Sequence, residues 1–233
     1  MRRIKGILFP IIEVVKSRMN QTVHEKRNAR FVSFHKTNTR FSHCYDRLSA
    51  LYENPPKYDV YCVGSDQVWN PYSYTSLEPY FLTFAPKDAV KCAYASSFGV
   101  SEIPAMAVEY FKQGLQNINT ISVREKTAVD IVKATTGQEV VAVADPTLLL
   151  NAYEWSKVLN DSMVPKEKYI LLYVLKESPY ITETALRIAK EKRLKVVRIC
   201  RGAYRQDPKN SPIQNIMDAG PAEYLALFKM QRW

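Results

Sequence analysis

Polar side chains that could contact a ligand stand where short apolar runs of this sequence end. The run 58–63 is followed by Gly-Ser-Asp-Gln-Val-Trp-Asn-Pro at 64–71, and polar endings recur near 96, 124 and 145. Apolar runs bounded by turn residues are typical of buried strands. Ligands of open α/β sheets bind at the carboxyl ends of strands. The candidate ligand-binding residues are therefore Ser65, Asp66, Gln67, Asn70, Ser96, Ser97 and Arg124.

Arg124 is the candidate for binding an anion. Its planar guanidinium can hold a carboxylate or a phosphate through two parallel hydrogen bonds. It stands at the end of a predicted strand and directly before a predicted helix, whose first N–H groups and dipole also favour an anion. The alternative is a structural salt bridge with Glu125 or with another carboxylate.

The other candidates also have structural alternatives. Asp66 suits a hydrogen bond to a sugar hydroxyl or general-base chemistry, but it equally suits a turn cap. Gln67 and Asn70 carry amides of the kind that bind sugar hydroxyls. Ser96 and Ser97 could offer hydroxyls to a phosphate, or their small size could allow close packing of strand and helix.

Two further residues in these segments are expected to be structural. Trp69 could stack on a sugar face, but a place in the core is the favoured interpretation. Asp145 precedes Pro146, which favours a turn-forming role over a catalytic one.

Strands and helices alternate from residue 58 onward. The apolar runs predict strands near 58–63, 91–96, 120–124 and 139–144. Helical spacing predicts helices at 103–117 and at 125–135, with Gly137 as the helix stop. Alternation of this kind is typical of parallel βαβ units.

A second series of elements follows a polar linker at 160–168. Asn151 suits the N-cap of a short helix before that linker. The near-continuous apolar run Tyr169–Leu175 is typical of a strand covered on both faces. We expect a helix at 179–193, a strand at 195–200, a loop at 201–212 and a last helix that Pro221 opens.

The predicted fold class is α/β, with one Rossmann-like parallel sheet and a second, incomplete Rossmann-like domain. The predicted domain limits are 51–160 and 161–233, with residues 1–50 as a basic helical and loop segment of the first domain. The length of 233 residues suits one or two domains.

Positive charge is concentrated in residues 1–50. This segment has 11 Lys or Arg and 3 acids, a local net charge of 11 − 3 = +8 out of +10 for the chain. Such a segment could attract nucleic acid, anionic lipid or an anionic substrate, or it could be a solvated surface helix. No nucleic-acid-binding motif accompanies it, so a nucleic-acid partner is not predicted.

An apolar stripe lies within the same segment, formed by Ile4, Ile7, Leu8, Ile11, Ile12 and Val15. The stripe is too short to span a bilayer and Pro10 interrupts it. Peripheral contact with a membrane surface is one interpretation, and a helix that has lost its partner in a shortened chain is the other. The predicted location is the cytoplasm, with the inner membrane surface as a place of action.

Motifs for several other chemistries are absent from the sequence. It contains neither His-Glu-x-x-His nor Cys-x-x-Cys, so no metal site is predicted. It also lacks the glycine-rich dinucleotide and P-loop motifs, which disfavours a nucleotide enzyme of those kinds. Cys44, Cys62, Cys92 and Cys200 are predicted to be reduced, buried thiols.

Four segments in order resemble the polysaccharide pyruvyl transferase family. They are Gly64-Ser-Asp-Gln-Val-Trp-Asn, Tyr94-Ala-Ser-Ser-Phe-Gly, Ile121-Ser-Val-Arg-Glu and Asp145-Pro-Thr-Leu-Leu. The resemblance implies a transferase with two Rossmann-like domains, like those of B-type glycosyltransferases. It implies phosphoenolpyruvate as the donor, a saccharide or lipid-linked saccharide as the acceptor and no separate cofactor. Arg124 matches the arginine of a family motif, which favours a donor-binding role for it.

The sequence also departs from the family. Family members carry a histidine in a late Ser-Phe-His-Gly segment, whereas the histidines here are His24, His35 and His43. No catalytic residue is therefore assigned, and the chain is expected to be a fragment shortened at both ends. Two alternatives stay open: an inactive remnant that binds anions or glycans, and a B-type glycosyltransferase.

Overall fold

The computed structural model describes residues 4–73, 75–175, 178–200 and 210–229, without the side chains of residues 4–19. Within these ranges the chain divides into two compact units. One contains residues 41–151, and the other contains residues 1–40 together with 152–233.

Four parallel strands form the sheet of unit 41–151. They are β1 (Val60–Val63), β2 (Val90–Ser96), β3 (Thr120–Val123) and β4 (Val141–Ala142), and they lie in the order β1-β2-β3-β4. Right-handed crossovers between successive neighbours place all connecting segments on one face of a sheet. The strand order therefore predicts one covered face and one bare face.

The covered face contains the core of this unit. Alternate strand residues such as Tyr61, Val63 and Val123 pack against residues of two helices, α3 (Val108–Gln116) and α4 (Lys126–Thr136). On the opposite face the side chains of Val60, Val90 and Val141 are 52%, 53% and 64% exposed. The period-two alternation of a strand accounts for this division.

Three parallel strands form the sheet of the other unit. They are β5 (Tyr169–Tyr173), β6 (Lys195–Ile199) and β7 (Ile213–Ile216), in the order β5-β6-β7. The helix α6 (Pro179–Lys192) connects β5 to β6 and begins with a Ser178 cap, whose hydroxyl accepts the Ile181 N–H. The helix α7 (Pro221–Lys229) follows β7. This arrangement is again α/β.

The long helix α1 (Ile4–Asn38) belongs to the unit of the second sheet, where it contacts α7. Arg30 of α1 pairs there with Glu223 and Asp218. This grouping differs from the predicted assignment of residues 1–50 to the first domain, because the ion pairs of Arg30 join α1 to the end of the chain. The predicted domain limits of 51–160 and 161–233 stay a prediction.

The predicted strands and helices are confirmed, but α3 begins at Val108 instead of 103 and β4 covers only Val141–Ala142 of the predicted 139–144. Gly137 ends α4 in the left-handed region at φ 77°, and Pro221 opens α7. The short helix after Asn151 is α5 (Ala152–Ser156), and a further short helix, α2 (Leu48–Glu53), was not predicted. The prediction of a strand covered on both faces is confirmed for β5. Leu172 packs with Ala185 and Ala189 of α6 on one face, and Tyr169 packs with Leu227 of α7 on the other. Only the end of the run is exposed, at Tyr173 and Leu175 (46% and 63%).

β7 was missed, because Ile-Gln-Asn-Ile is short and half polar, and only tertiary pairing with β6 identifies it as a strand. Most of the predicted loop at 201–212 lies outside the described residues, as do the side chains of the apolar stripe at 4–15.

All four cysteines are free, as predicted, but Cys44 and Cys62 are exposed, so their predicted burial is wrong.

Candidate functional site

Each strand of the first sheet contributes polar residues at its carboxyl end. Ser65 and Asp66 follow β1, Ser97 follows β2, Arg124 follows β3 and Asp145 comes after β4. Hydrogen bonds and ion pairs join these residues into one group, which we call the Arg124 cluster: Ser65, Asp66, Ser97, Arg124, Glu125 and Asp145. The cluster occupies the edge at which open parallel sheets bind ligands.

The guanidinium of Arg124 lies at the centre of the cluster. Its Nη1 is 3.3 Å from Asp145 Oδ2 and 3.9 Å from Asp66 Oδ1, and its Nε is 3.6 Å from Glu125 Oε2. Its side chain is 30% exposed, so solvent reaches it. The backbone N–H of Arg124 donates to the Ser96 carbonyl at 3.1 Å, which fixes the base of the side chain against β2.

Asp145 holds Arg124 and also caps a turn. Its Oδ1 accepts the N–H of Thr147 at 3.0 Å and the Thr147 hydroxyl at 2.7 Å, so the predicted turn-forming role is confirmed. Its Oδ2 accepts the Ser65 hydroxyl at 2.9 Å and pairs with Arg124. The bonds from Thr147, then those from Ser65 and Arg124, lower the pKa of Asp145 to about 2.

The contact between Asp145 and Arg124 was not predicted from the sequence. The Asp-Pro-Thr pattern indicates a cap but not what lies on the other side of the carboxylate. That second role depends on β4 lying next to β3, which the strand order decides. Asp145 is therefore added to the candidate residues.

A bulge in β2 places Ser96 and Ser97 in the interior. The strand register shifts between Ala93 and Ser96, and Ala95 has φ 50°. Both serines are at most 1% exposed. The Ser96 hydroxyl donates to the Val63 carbonyl at 3.2 Å, and the Ser97 hydroxyl donates to Glu125 Oε1 at 2.6 Å. Bulges of this kind commonly redirect side chains near functional sites.

The two serines therefore tie the strand ends together, and their contact with a ligand stays a prediction. Through its backbone, Ser97 also donates to the carbonyl of Asp66 at 3.0 Å and accepts from the N–H of Trp69 at 3.1 Å. These bonds hold the loop after β1 in place, so the position of Asp66 beside Arg124 depends on Ser97.

The amides of Gln67 and Asn70 bond to each other in the loop after β1. Asn70 Nδ2 donates to Gln67 Oε1 at 2.8 Å, and Asn70 Oδ1 accepts the N–H of Tyr72 at 2.9 Å. Gly99 has φ +66°, which favours glycine, and a Cβ added there would lie 2.4 Å from Gln67 Oε1 and push this amide aside. The structure shows no direct contact of either amide with Arg124, and their role in binding sugar stays a prediction.

Trp69 belongs to the core, as predicted. It is fully buried, and its ring stacks on Phe81 with centroids 6.2 Å apart and an interplanar angle of 19°. Its Nε1 donates to the Tyr80 carbonyl at 2.9 Å. Trp69 therefore anchors the loop that carries Asp66.

The histidines have local partners. His24 Nδ1 lies 2.9 Å from Arg27 Nη2, and the ring of His43 packs edge-on against Tyr45. In the described part of the chain, no group of three or more His, Cys, Asp or Glu residues is arranged to hold a metal ion. No helix among the described residues is long and apolar enough to span a membrane.

Comparison with known families identifies the chain. A sequence model of the polysaccharide pyruvyl transferase family matches residues 8–231. The chain belongs to this family. The match contains every residue of the Arg124 cluster. It also contains both compact units, except for residues 1–7 and 232–233. A search among curated proteins and a search among solved structures each found no match. Membership of the polysaccharide pyruvyl transferase family implies a saccharide as the acceptor.

Proposed function

We propose that the protein transfers a pyruvyl group from phosphoenolpyruvate to a sugar, forming a ketal during the biosynthesis of a cell-surface exopolysaccharide. The family match supports the transferase class and the saccharide acceptor. The observation that carries the donor assignment is the guanidinium of Arg124, which lies where the ends of all four strands of the first sheet meet.

A small anion with two charged groups suits this position. Arg124 offers a planar fork for a carboxylate or phosphate. It also directly precedes α4, whose Glu125 cap makes no side-chain hydrogen bond to the first turn. The N–H groups at that helix start and the helix dipole add favourable interactions for a negative charge.

An anion that binds Arg124 must replace one of the carboxylates that already contact it. Asp66 is the weakest partner of Arg124, because its side chain is 90% exposed and lies 3.9 Å away. Exposed pairs of that kind contribute at most about 1 kcal/mol. A donor anion can therefore replace Asp66, while Asp145 keeps its contact with Nη1.

Asp66 then becomes available to the acceptor. In the proposed reaction, the methylene carbon of phosphoenolpyruvate gains a proton and a sugar hydroxyl adds to the adjacent carbon. A second hydroxyl of the same sugar then displaces phosphate, and the two hydroxyl protons leave to a base. Asp66 is proposed to accept a hydrogen bond or a proton from a sugar hydroxyl, and Gln67 and Asn70 are proposed to help bind the sugar.

The test is to measure phosphoenolpyruvate binding and ketal formation with Arg124→Ala, Arg124→Lys and a control, Arg187→Ala. Arg187 lies on α6 and pairs with Glu191 on an exposed surface. Loss of a charge-assisted contact should weaken donor binding by about tenfold or more. We expect Arg124→Ala to show this loss, Arg124→Lys a partial loss and Arg187→Ala none.

The same assay separates the alternatives. Phosphoenolpyruvate binding without ketal formation would identify an anion-binding protein without turnover. Binding of a nucleotide sugar with glycosyl transfer would identify a glycosyltransferase. Unchanged donor binding in Arg124→Ala would contradict the donor assignment itself.

The two parallel-sheet units are proposed to be the two Rossmann-like domains of a B-type glycosyltransferase-like architecture. The support is that every strand pair in both sheets is parallel.

We further propose that the protein acts in the cytoplasm at the inner membrane surface. The support is the local charge of residues 1–50 and the apolar stripe of residues 4–15. Basic segments gain on the order of 1 kcal/mol per Lys or Arg near an anionic membrane. Co-sedimentation with vesicles that contain anionic lipid should therefore be strong at low salt and weak at high salt, and absent with zwitterionic vesicles. Equal binding to both kinds of vesicle, or none, would contradict this proposal.

A further inference from the structure

A cavity of about 760 Å³ lies at the carboxyl edge of the second sheet. Its wall includes Tyr173 at the end of β5, Ile199 at the end of β6 and Met217 directly after β7. This is the edge of an open parallel sheet where ligands bind, and the volume is typical of small-molecule sites. We call this cavity the Tyr173 crevice.

Aromatic rings form part of the wall of the Tyr173 crevice. Tyr173 is 46% exposed and Phe31 of α1 is 41% exposed. The ring of Tyr173 meets that of Tyr224 edge-on, with centroids 5.2 Å apart, and Tyr224 packs in turn on Phe228 at 4.7 Å. Tyr173 therefore offers a ring that is held in place by its neighbours and still accessible to a ligand. Such a ring provides an apolar surface for the C–H face of a sugar.

Two planar polar groups lie on the α1 side of the crevice. Arg27 and Asn28 are consecutive residues of α1 and both line the cavity. Arg27 Nη2 lies 2.9 Å from His24 Nδ1, which orients the guanidinium. A guanidinium and an amide can together donate to neighbouring hydroxyls and accept from one of them. An aromatic surface together with such groups suits a ring that carries several hydroxyls.

The start of α7 argues against a phosphate-rich ligand. Pro221 is the first residue of α7 and has no N–H. The N–H of Gly220 already donates to Glu223 Oε2 at 3.0 Å. Among the described residues that line the crevice, Arg27 is the single cation. The described part of the crevice therefore offers few of the N–H groups and cations that bind a nucleoside diphosphate.

We propose that the Tyr173 crevice binds a saccharide, with one sugar ring stacked on Tyr173 and its hydroxyls bonded to Arg27 and Asn28. The identification of this saccharide as the transfer acceptor rests on the proposed function. The binding of a saccharide in the crevice does not depend on it and can be measured without a donor.

The test is direct binding of a panel of neutral di- to tetrasaccharides of glucose, galactose and mannose to the full chain. Saturation-transfer NMR would detect binding and titration calorimetry would give the affinity. The variants are Tyr173→Ala, Tyr173→Phe and a matched control, Tyr180→Ala, because Tyr180 is 77% exposed on α6 and does not line the crevice. Thermal unfolding would confirm that each variant is folded.

We expect at least one saccharide to bind to the unmodified chain. Tyr173→Ala should lose roughly tenfold in affinity, because it removes an apolar contact. Tyr173→Phe and Tyr180→Ala should both bind with the affinity of the unmodified chain. Failure of every saccharide to bind would overturn the inference, as would equal binding by Tyr173→Ala. Displacement of a bound saccharide by a nucleoside diphosphate would also overturn it.

Donor binding separates this inference from the proposed function. Phosphoenolpyruvate binding that is lost in Arg124→Ala, together with no saccharide binding, would overturn the crevice and leave the donor assignment standing. Saccharide binding lost in Tyr173→Ala, together with no phosphoenolpyruvate binding, would support the crevice and contradict the donor assignment.

Discussion

Asp145 shows how a single residue combines a local and a tertiary role. One carboxylate oxygen caps the turn at Thr147, and the other accepts from Ser65 and pairs with Arg124. The local role follows from the sequence, because Asp before Pro-Thr commonly forms such turns. The tertiary role needs Ser65 and Arg124, which are 80 and 21 residues away along the chain.

We predict that Asp145→Asn lowers the free energy of unfolding by about 1 kcal/mol at pH 7, after allowance for solvent screening. The pKa of Asp145 is depressed from 3.8 to about 2 in the folded protein. The stabilisation is therefore present above pH 3.8 and is lost as the pH falls towards 2, so about half should remain at pH 3.

Urea denaturation at pH 7 and pH 3 would measure this difference. Asp130→Asn is the matched control, because Asp130 is exposed on α4 outside the cluster. An equal loss of stability at both pH values would contradict an electrostatic role for Asp145.

At the scale of elements, one buried carboxylate joins α1 to the end of the chain. Glu223 is 4% exposed, and its oxygens accept from Arg30, Asn160 and the N–H of Gly220 at 2.9–3.0 Å. Arg30 also pairs with Asp218 at 3.5 Å. The attachment of α1 depends on this group, because removal of one partner leaves buried polar groups unsatisfied.

We predict that Glu223→Ala destabilises the unit of the second sheet by about 2–3 kcal/mol. The matched control, Glu191→Ala, removes the exposed partner of Arg187 and should cost less than about 0.5 kcal/mol. Denaturant unfolding with amide exchange of α7 as the local probe would measure both. Equal, small effects of the two substitutions would show that Glu223 does not hold α1 and α7 together.

At the scale of the whole molecule, strand order leaves apolar surface exposed. The sequence of neighbours β1-β2-β3-β4 places α3 and α4 on one face of the first sheet, and Val60, Val90 and Val141 on the other face remain largely exposed. Val60 also lies on β1, which is an edge strand of this sheet. Exposed apolar faces and edges of sheets promote self-association.

We predict that the protein self-associates as its concentration rises and that the double variant Val60→Lys and Val141→Lys shifts it towards monomer. The double variant Met106→Lys and Leu148→Lys adds the same charge at exposed residues in 3-10 turns outside the sheet and should change association less. Sedimentation velocity over a range of concentrations would measure this. A monomer at all concentrations, or an equal effect of both variants, would contradict a role for the bare face.

The sequence by itself determined the class of the fold, the family and most elements. Apolar runs bounded by Gly, Pro and Asn, and a glycine stop at 137, are local signals that depend on neighbouring residues. The position of Arg124 at a strand end was predictable for the same reason. The structure places it there, and its substrate-binding role stays a prediction.

The tertiary structure alone decided which of these strand ends meet and what covers them. The order of strands brings Asp145 to Arg124, and a bulge in β2 turns Ser96 and Ser97 inward. The pairing of β7 with β6 completes the sheet edge that carries the Tyr173 crevice. These contacts join residues far apart in the chain, and their energies depend on packing and register rather than on local preference. No pattern within a short window of sequence contains that information.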